Sequence, residues 1–192
     1  MLLSANTAYA AGARLVDVHE HIVLAPAQTR RLIRLMDRSG IATMVLLDTP
    51  GITFDDDDPQ FDGYDVTVER QLAMKLRYPG RFRVFYTFPP YDSDGPRKAA
   101  RLAARGIDGL KFYNGVLWQQ LGAIDSRAMY AAFAAARDHH LPVIIHVEAM
   151  NPIQRREFER ALGDFPEVTF VCPHLCGVER NLAMLDAMLA RH

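Results

Sequence analysis

The sequence predicts an α/β protein, a parallel sheet covered by helices, and two observations carry that expectation. Short apolar strands alternate with amphipathic helices, and strand starts recur at intervals of roughly 26 to 40 residues, the length of a βα unit. With 192 residues, 49% of them apolar and 23% charged, the chain has the material for one globular domain and a sizeable core.

Strands are expected at Arg14–Val18, Ala42–Leu47, Phe82–Thr87, Gly109–Phe112, Pro142–His146 and Val168–Val171. The first helix, near Ala27–Arg38, sets Leu32, Leu35 and Met36 on one face and stops at Gly40, a usual C-terminal glycine. A second is placed at Thr67–Tyr78. A third starts near Asp94 with Pro96 in its first turn and ends before Gly106. The fourth, Ser126–His139, is alanine-rich, with Met129 and Phe133 four apart. Asn151 caps a fifth that has Pro152 at its first helical position. "GVERNLAMLDAMLARH" makes a sixth, with Leu182, Leu185 and Leu189 along its apolar side. Six βα units suit either an open doubly wound sheet or a (β/α)₈ barrel short of its last two units. No G-x-G-x-x-G or G-K-[ST] follows any strand, which counts against a nucleotide-binding sheet.

Several function classes are excluded by composition. Twenty-two basic residues against 23 acidic ones leave no nucleic-acid or polybasic membrane footprint. No apolar run approaches the roughly eighteen residues that span a bilayer. A homo-oligomer stays open, and the small-molecule substrate expected as partner is what the resemblance given below implies. Cys172 and Cys176 cannot build a disulfide framework, and C-x₃-C is no recognised zinc spacing. Residues 1–13 read as an N-terminal tail, the domain proper being 14–192. Ala8-Tyr9-Ala10 has the small-x-small pattern of a signal-peptidase site, but the basic and full apolar regions before it are missing. Localisation stays open: cytoplasmic is the expectation for the sequence as written, periplasmic or secreted if a leader lies upstream.

In parallel α/β proteins chemistry collects at the C-terminal ends of strands. Of seven histidines, His19 and His21 end the first strand, His146 ends the fifth, and His174 lies just past the sixth. Side chains two apart on a strand share a face, so His19 and His21 point one way and Glu20 the other. Two neutral imidazoles converging on a point make half of a divalent-metal site, and Asp17, on the same face, could orient a ring from behind. Lys111 ends the fourth strand. Glu148 lies two residues beyond His146, where it could touch substrate. Asp55 to Asp58 form an acidic run in the longest loop, read as a solvated loop.

These segments carry a resemblance. "DVHEHI" resembles the D-x-H-x-H opening of the amidohydrolase superfamily of metal-dependent (β/α)₈-barrel hydrolases, and "GIDGLKFY" its strand-four segment. "LPVIIHVE" and "FPEVTFVCPHLCG" resemble the strand-five and strand-six segments of the amidohydrolase-related, or amidohydrolase 2, branch. The resemblance runs in register from about residue 14 to 190 and implies a TIM-type barrel with about six of its eight units present. It implies metal ligands at His19, His21 and His146, with His174 beside the metal, positioning water or substrate. Cys176 stands where the family usually has glycine. Binuclear members bridge two metals with a carboxylated strand-four lysine, the role open to Lys111; one ion is expected here rather than two, zinc before manganese. The family barrel needs about 250 residues, so the strand-eight aspartate, usually a ligand and general base, is expected to be missing. Asp186, mid-helix, is no substitute.

The resemblance implies hydrolysis of a small carboxylic or cyclic ester, lactone or amide by a metal-activated water. The runner-up is non-oxidative decarboxylation of an aromatic or unsaturated acid at the same ion. A third reading is an inactive barrel fragment.

Overall fold

The structure, a computed structural model, describes residues 14–21, 26–48, 63–116, 119–178 and 181–191. The N-terminal tail and the acidic run 55–58 lie outside the described residues. Six parallel strands form one sheet in sequence order: β1 (Leu15–His21), β2 (Ile41–Leu47), β3 (Phe82–Thr87), β4 (Gly109–Tyr113), β5 (Val143–His146) and β6 (Phe170–Val171). Between them lie α1 (Pro26–Ser39), α2 (Tyr64–Arg77), α3 (Gly95–Ala103), α4 (Arg127–Asp138) and α5 (Pro152–Asp164); α6 (Leu182–Leu189) follows β6. Strictly sequential order with helical crossovers is barrel order, and the doubly wound alternative, which requires the order to reverse, falls away.

The sheet also curls. Six strands spaced about 4.8 Å apart would hold the two edges of a flat sheet roughly 24 Å apart. Yet the rings of His19, on edge strand β1, and His174, just past edge strand β6, have centroids 5.1 Å apart. The sheet is an incomplete (β/α) barrel.

Alternation divides each strand between two cores. Outward residues such as Val84, Tyr86, Leu110, Phe112, Val143 and Ile145 pack against the helices in the main core. Met44, Leu46 and Phe82 do the same beneath α1, with Met36. The inward residues Val45, Leu47, Phe85 and Ile144 form a separate cluster that fills the interior. Phe85 pairs in register with Gly109, and a Cβ on that glycine would lie 2.4 Å from the phenyl ring. A large and a small residue thus share one place in the interior.

Helix ends follow local chemistry. Ser126 caps α4 by accepting from Met129 N, and Asn151 caps α5 by accepting from Ile153 N, with Pro152 leading, as expected. Two helix starts depart from expectation. α2 begins at Tyr64 rather than Thr67, its cap Gly63 offering no side-chain bond. α6 begins only at Leu182, capped by Asn181, because residues 174–177 form a separate turn. A short antiparallel ribbon (Gly115–Val116 with Gln119–Gln120), which no periodicity announced, follows β4. Among the described residues no helix is long and apolar enough to cross a membrane.

Candidate active site

Four strand ends bring the predicted residues onto one rim. β1 runs on through His19 to His21, three residues further than expected, and its register with β2 slips between Asp17 and Glu20. A bulge there kinks the strand and re-aims its side chains. The result is a close pair: His19 Nε2 and His21 Nε2 lie 3.1 Å apart. Two nitrogens about 2.0–2.1 Å from one ion, at angles between about 90° and 109°, lie roughly 2.9–3.4 Å apart. The pair therefore has the spacing of two ligands of a single ion.

The other imidazoles close in behind it. His174 packs against His19 at 5.1 Å and against His146 at 5.6 Å, centroid to centroid. His146 Nε2 faces Glu148 Oε1 at 3.1 Å, and the ring of Tyr113 covers its side at 5.1 Å. Lys111, inward-facing on β4, is 1% exposed and raises the positive potential at His19, His21 and His146.

Electrostatics keep these nitrogens neutral. Partial burial, then the Lys111 charge, then the neighbouring rings push His19 down to about 3. Burial and the same neighbours push His21 to about 4. His146 is also lowered, by burial and Lys111, with Glu148 acting in the opposite direction. Burial alone pushes the Lys111 amine down to about 7. An imidazole must be neutral to ligate a metal, so donor type, protonation and pair spacing all fit a divalent cation. The fit extends only to the pair as it stands. Among the described residues no three or more His, Cys, Asp or Glu side chains are assembled as a metal-holding set, and His146 is engaged with Glu148.

Two expected roles are placed differently. Asp17 does not hold a ring: its Oδ1 accepts from the backbone N–H of His19 at 3.3 Å, across the bulge. Glu148 faces His146 rather than open space, and its backbone N–H donates to Gln154 Oε1 at 3.0 Å. Tyr113 was missed although it follows Lys111 by two residues and so shares its inward face. Thr87 was missed as well; its hydroxyl ties the ends of β2 and β3 together, donating to Asp48 O and accepting from Asp48 N, each at 3.0 Å.

The turn carrying His174 departs furthest from expectation. His174, Leu175, Cys176 and Gly177 have φ of 56°, 51°, 55° and 68°, four consecutive residues in left-handed backbone. Each non-glycine there costs roughly 1–2 kcal/mol. The turn draws Cys172 and Cys176 to a Cα separation of 5.1 Å, and a disulfide joins them. Cys176 is buried, Cys172 is half-buried, and the two are bonded. At Gly177 the positive φ and the Glu148 carboxylate, 2.5 Å from where a Cβ would lie, both exclude a side chain.

An incomplete βα barrel with polar groups gathered at the C-terminal rim defines a barrel enzyme by descent. The chain belongs to the amidohydrolase family Amidohydro_2, which it matches over residues 16–192. No curated protein matches it in sequence. Among solved structures it resembles 5-carboxyvanillate decarboxylase from Sphingomonas paucimobilis, with 18% identity, a TM-score of 0.66, and coverage of 93% of this chain and 72% of that one. It also resembles the 5-carboxyvanillate decarboxylase of Novosphingobium aromaticivorans, complexed with manganese and 4-hydroxy-3-methoxy-5-nitrobenzoic acid; identity is 19%, the TM-score 0.61, and coverage 84% and 53%. A third is a probable 2-pyrone-4,6-dicarboxylic acid hydrolase from Acinetobacter baumannii, at 14% identity and a TM-score of 0.65, with coverage of 93% and 66%. The chain thus spans between about half and three quarters of the length of these proteins. At such identities the likeness establishes the fold.

Proposed function

We propose that the rim is a metal-dependent hydrolytic site for a small carboxylic or cyclic ester, lactone or amide, with the ion held by His19, His21 and His146. The observation that carries this reading is the 3.1 Å pair of neutral imidazoles on β1. When bound, a divalent ion supplies Lewis acidity toward a substrate oxygen and toward water. His146 would join the pair by exchanging its contact with Glu148. His174, exposed and packed on both His19 and His146, would hold a water or a substrate oxygen and pass a proton. Lys111 has its amine at about 7, so at neutral pH it can hold or release a proton at Nζ on the floor of the site. The apolar cluster of Val45, Leu47, Phe85 and Ile144 fills the interior and excludes water from that side.

A second reading, non-oxidative decarboxylation of an aromatic acid, is favoured by the two 5-carboxyvanillate decarboxylases among the structural neighbours. One assay separates the two. The protein, loaded in turn with zinc and manganese, is offered lactone and ester acids in one panel and hydroxylated benzoic acids in the other. Acid release supports hydrolysis, and carbon dioxide release supports decarboxylation. His19→Ala/His21→Ala is expected to lose bound metal on dialysis. Equal metal retention by that variant and the parent would sink both readings.

A further inference from the structure

We propose that the Cys172–Cys176 disulfide is a redox-sensitive clamp that holds His174 in the histidine cluster, and that its reduction releases the ring. The proposal rests on the site described above, in which His174 is a working residue, and adds its regulation. It starts from the backbone. Three successive non-glycine residues, His174, Leu175 and Cys176, occupy left-handed conformations that L-residues avoid. Something must hold them there.

Burial of the first two does not. His174 and Leu175 are exposed, Leu175 to 50%. What holds the turn acts mainly through Cys176. That residue is 3% exposed and packs in the main core, its carbonyl accepts from Ala149 N at 2.8 Å, and its sulfur is bonded to Cys172. The bridge spans only Pro173, His174 and Leu175, and it closes the same turn as the hydrogen bond that Cys176 N donates to Pro173 O at 3.1 Å. Movement of the turn would also reach His146, because Gly177 lies against the Glu148 carboxylate that faces that ring.

The chemistry is a two-electron thiol–disulfide exchange with a dithiol reductant. Its thiolate attacks the sulfur of half-buried Cys172, the more accessible of the pair. The Cys172–Cys176 bond breaks and Cys176 leaves as a thiolate that takes up a proton. The second thiol of the reductant then resolves the mixed disulfide. It leaves Cys172 as a thiol and the reductant as a cyclic disulfide. Freed of the bridge, His174 and Leu175 can relax to right-handed or extended backbone, which turns the imidazole away from His19 and His146.

The test follows the histidine rings of the full chain by NMR, with the His174 signal assigned through His174→Gln. Alkylation and mass spectrometry count free thiols in the oxidised and dithiothreitol-treated protein. Reduction is expected to expose two thiols and to shift the His174 ring signal by more than those of His139 and His140. Cys172→Ser/Cys176→Gly removes the bridge but supplies a residue that accepts left-handed φ freely. Because His174 and Leu175 stay non-glycine and lose the bridge, it should nevertheless give the signal of the reduced parent and ignore dithiothreitol. Cys172→Ser/Cys176→Ser should match the reduced parent. Two free thiols with an unmoved His174 signal would overturn the clamp, as would an oxidised protein without the bridge. If the signal responds to redox state while His174→Gln leaves metal uptake and turnover intact, the clamp stands and the functional reading falls.

Discussion

Two groups of residues face the barrel interior on the same strands, and they do opposite things. On β5, Ile144 packs with Val45, Leu47 and Phe85, whereas His146, two residues on, faces Glu148 and His174. On β4, Gly109 makes room for Phe85, and Lys111, two residues on, is a buried amine among imidazoles. The pleat gives both groups the same direction. Only distance along the strand differs, and it separates packing from chemistry.

The comparison can be broken most severely from the apolar side. Phe85→Ala should lower stability by about 3–5 kcal/mol, because it removes the largest member of the inner cluster and leaves a cavity over Gly109. Urea denaturation measures it, and a loss below 1 kcal/mol would show that the interior is not packed as described. The polar side should give the reverse sign. Lys111→Met is expected to stabilise the unloaded protein at pH 7 by on the order of 3 kcal/mol, since it removes a buried amine and keeps its volume. The amine sits at about 7 in the fold and near 10.5 unfolded, so between those values the unfolded chain binds the extra proton. Stability of the parent should therefore rise from pH 7 toward 10.5, and the variant should lose that rise.

Two smaller effects sharpen the contrast. Gly109→Ala forces a methyl into the Phe85 ring and should cost about 1–3 kcal/mol with metal retention unchanged. His19→Gln/His21→Gln should do the opposite, abolishing metal retention while altering stability by about 1 kcal/mol at most. Its effect belongs in acid. Both rings stay neutral in the fold down to about 3 and 4, yet protonate near 6.5 when unfolded. The unfolded chain thus binds more protons as pH falls from about 6.5, and stability drops through that window. The variant should show a shallower acid limb by pH-dependent urea denaturation.

Much of this was legible in the sequence because inward positions of a barrel strand are normally apolar. A histidine or lysine at such a position, as at 19, 146 and 111, stands out by type and parity alone, and the caps Ser126 and Asn151 mark helices with equal directness. What the sequence did not disclose is conformation without a side-chain signature. The β1 bulge changes register without changing composition, so the closeness of the His19–His21 pair could not be read from alternation. Nor could the left-handed run at 174–177, in which three non-glycine residues adopt backbone that their identities argue against. Asp17 was misplaced for the same reason, its carboxylate being turned to the backbone across the bulge.

β1 has one further consequence. Among the described residues it hydrogen-bonds to a single neighbour, β2, and its outward Val16 and Val18 are each 54% exposed. The strand that carries both imidazoles of the close pair is thus among those least buttressed, and amide hydrogen exchange should be faster there than in β4. A cation gripping His19 and His21 together with His146 would tie the first strand to the fifth across the bore. Ligand occupancy and the firmness of that edge would then rise together, as mass action requires when only the closed arrangement binds.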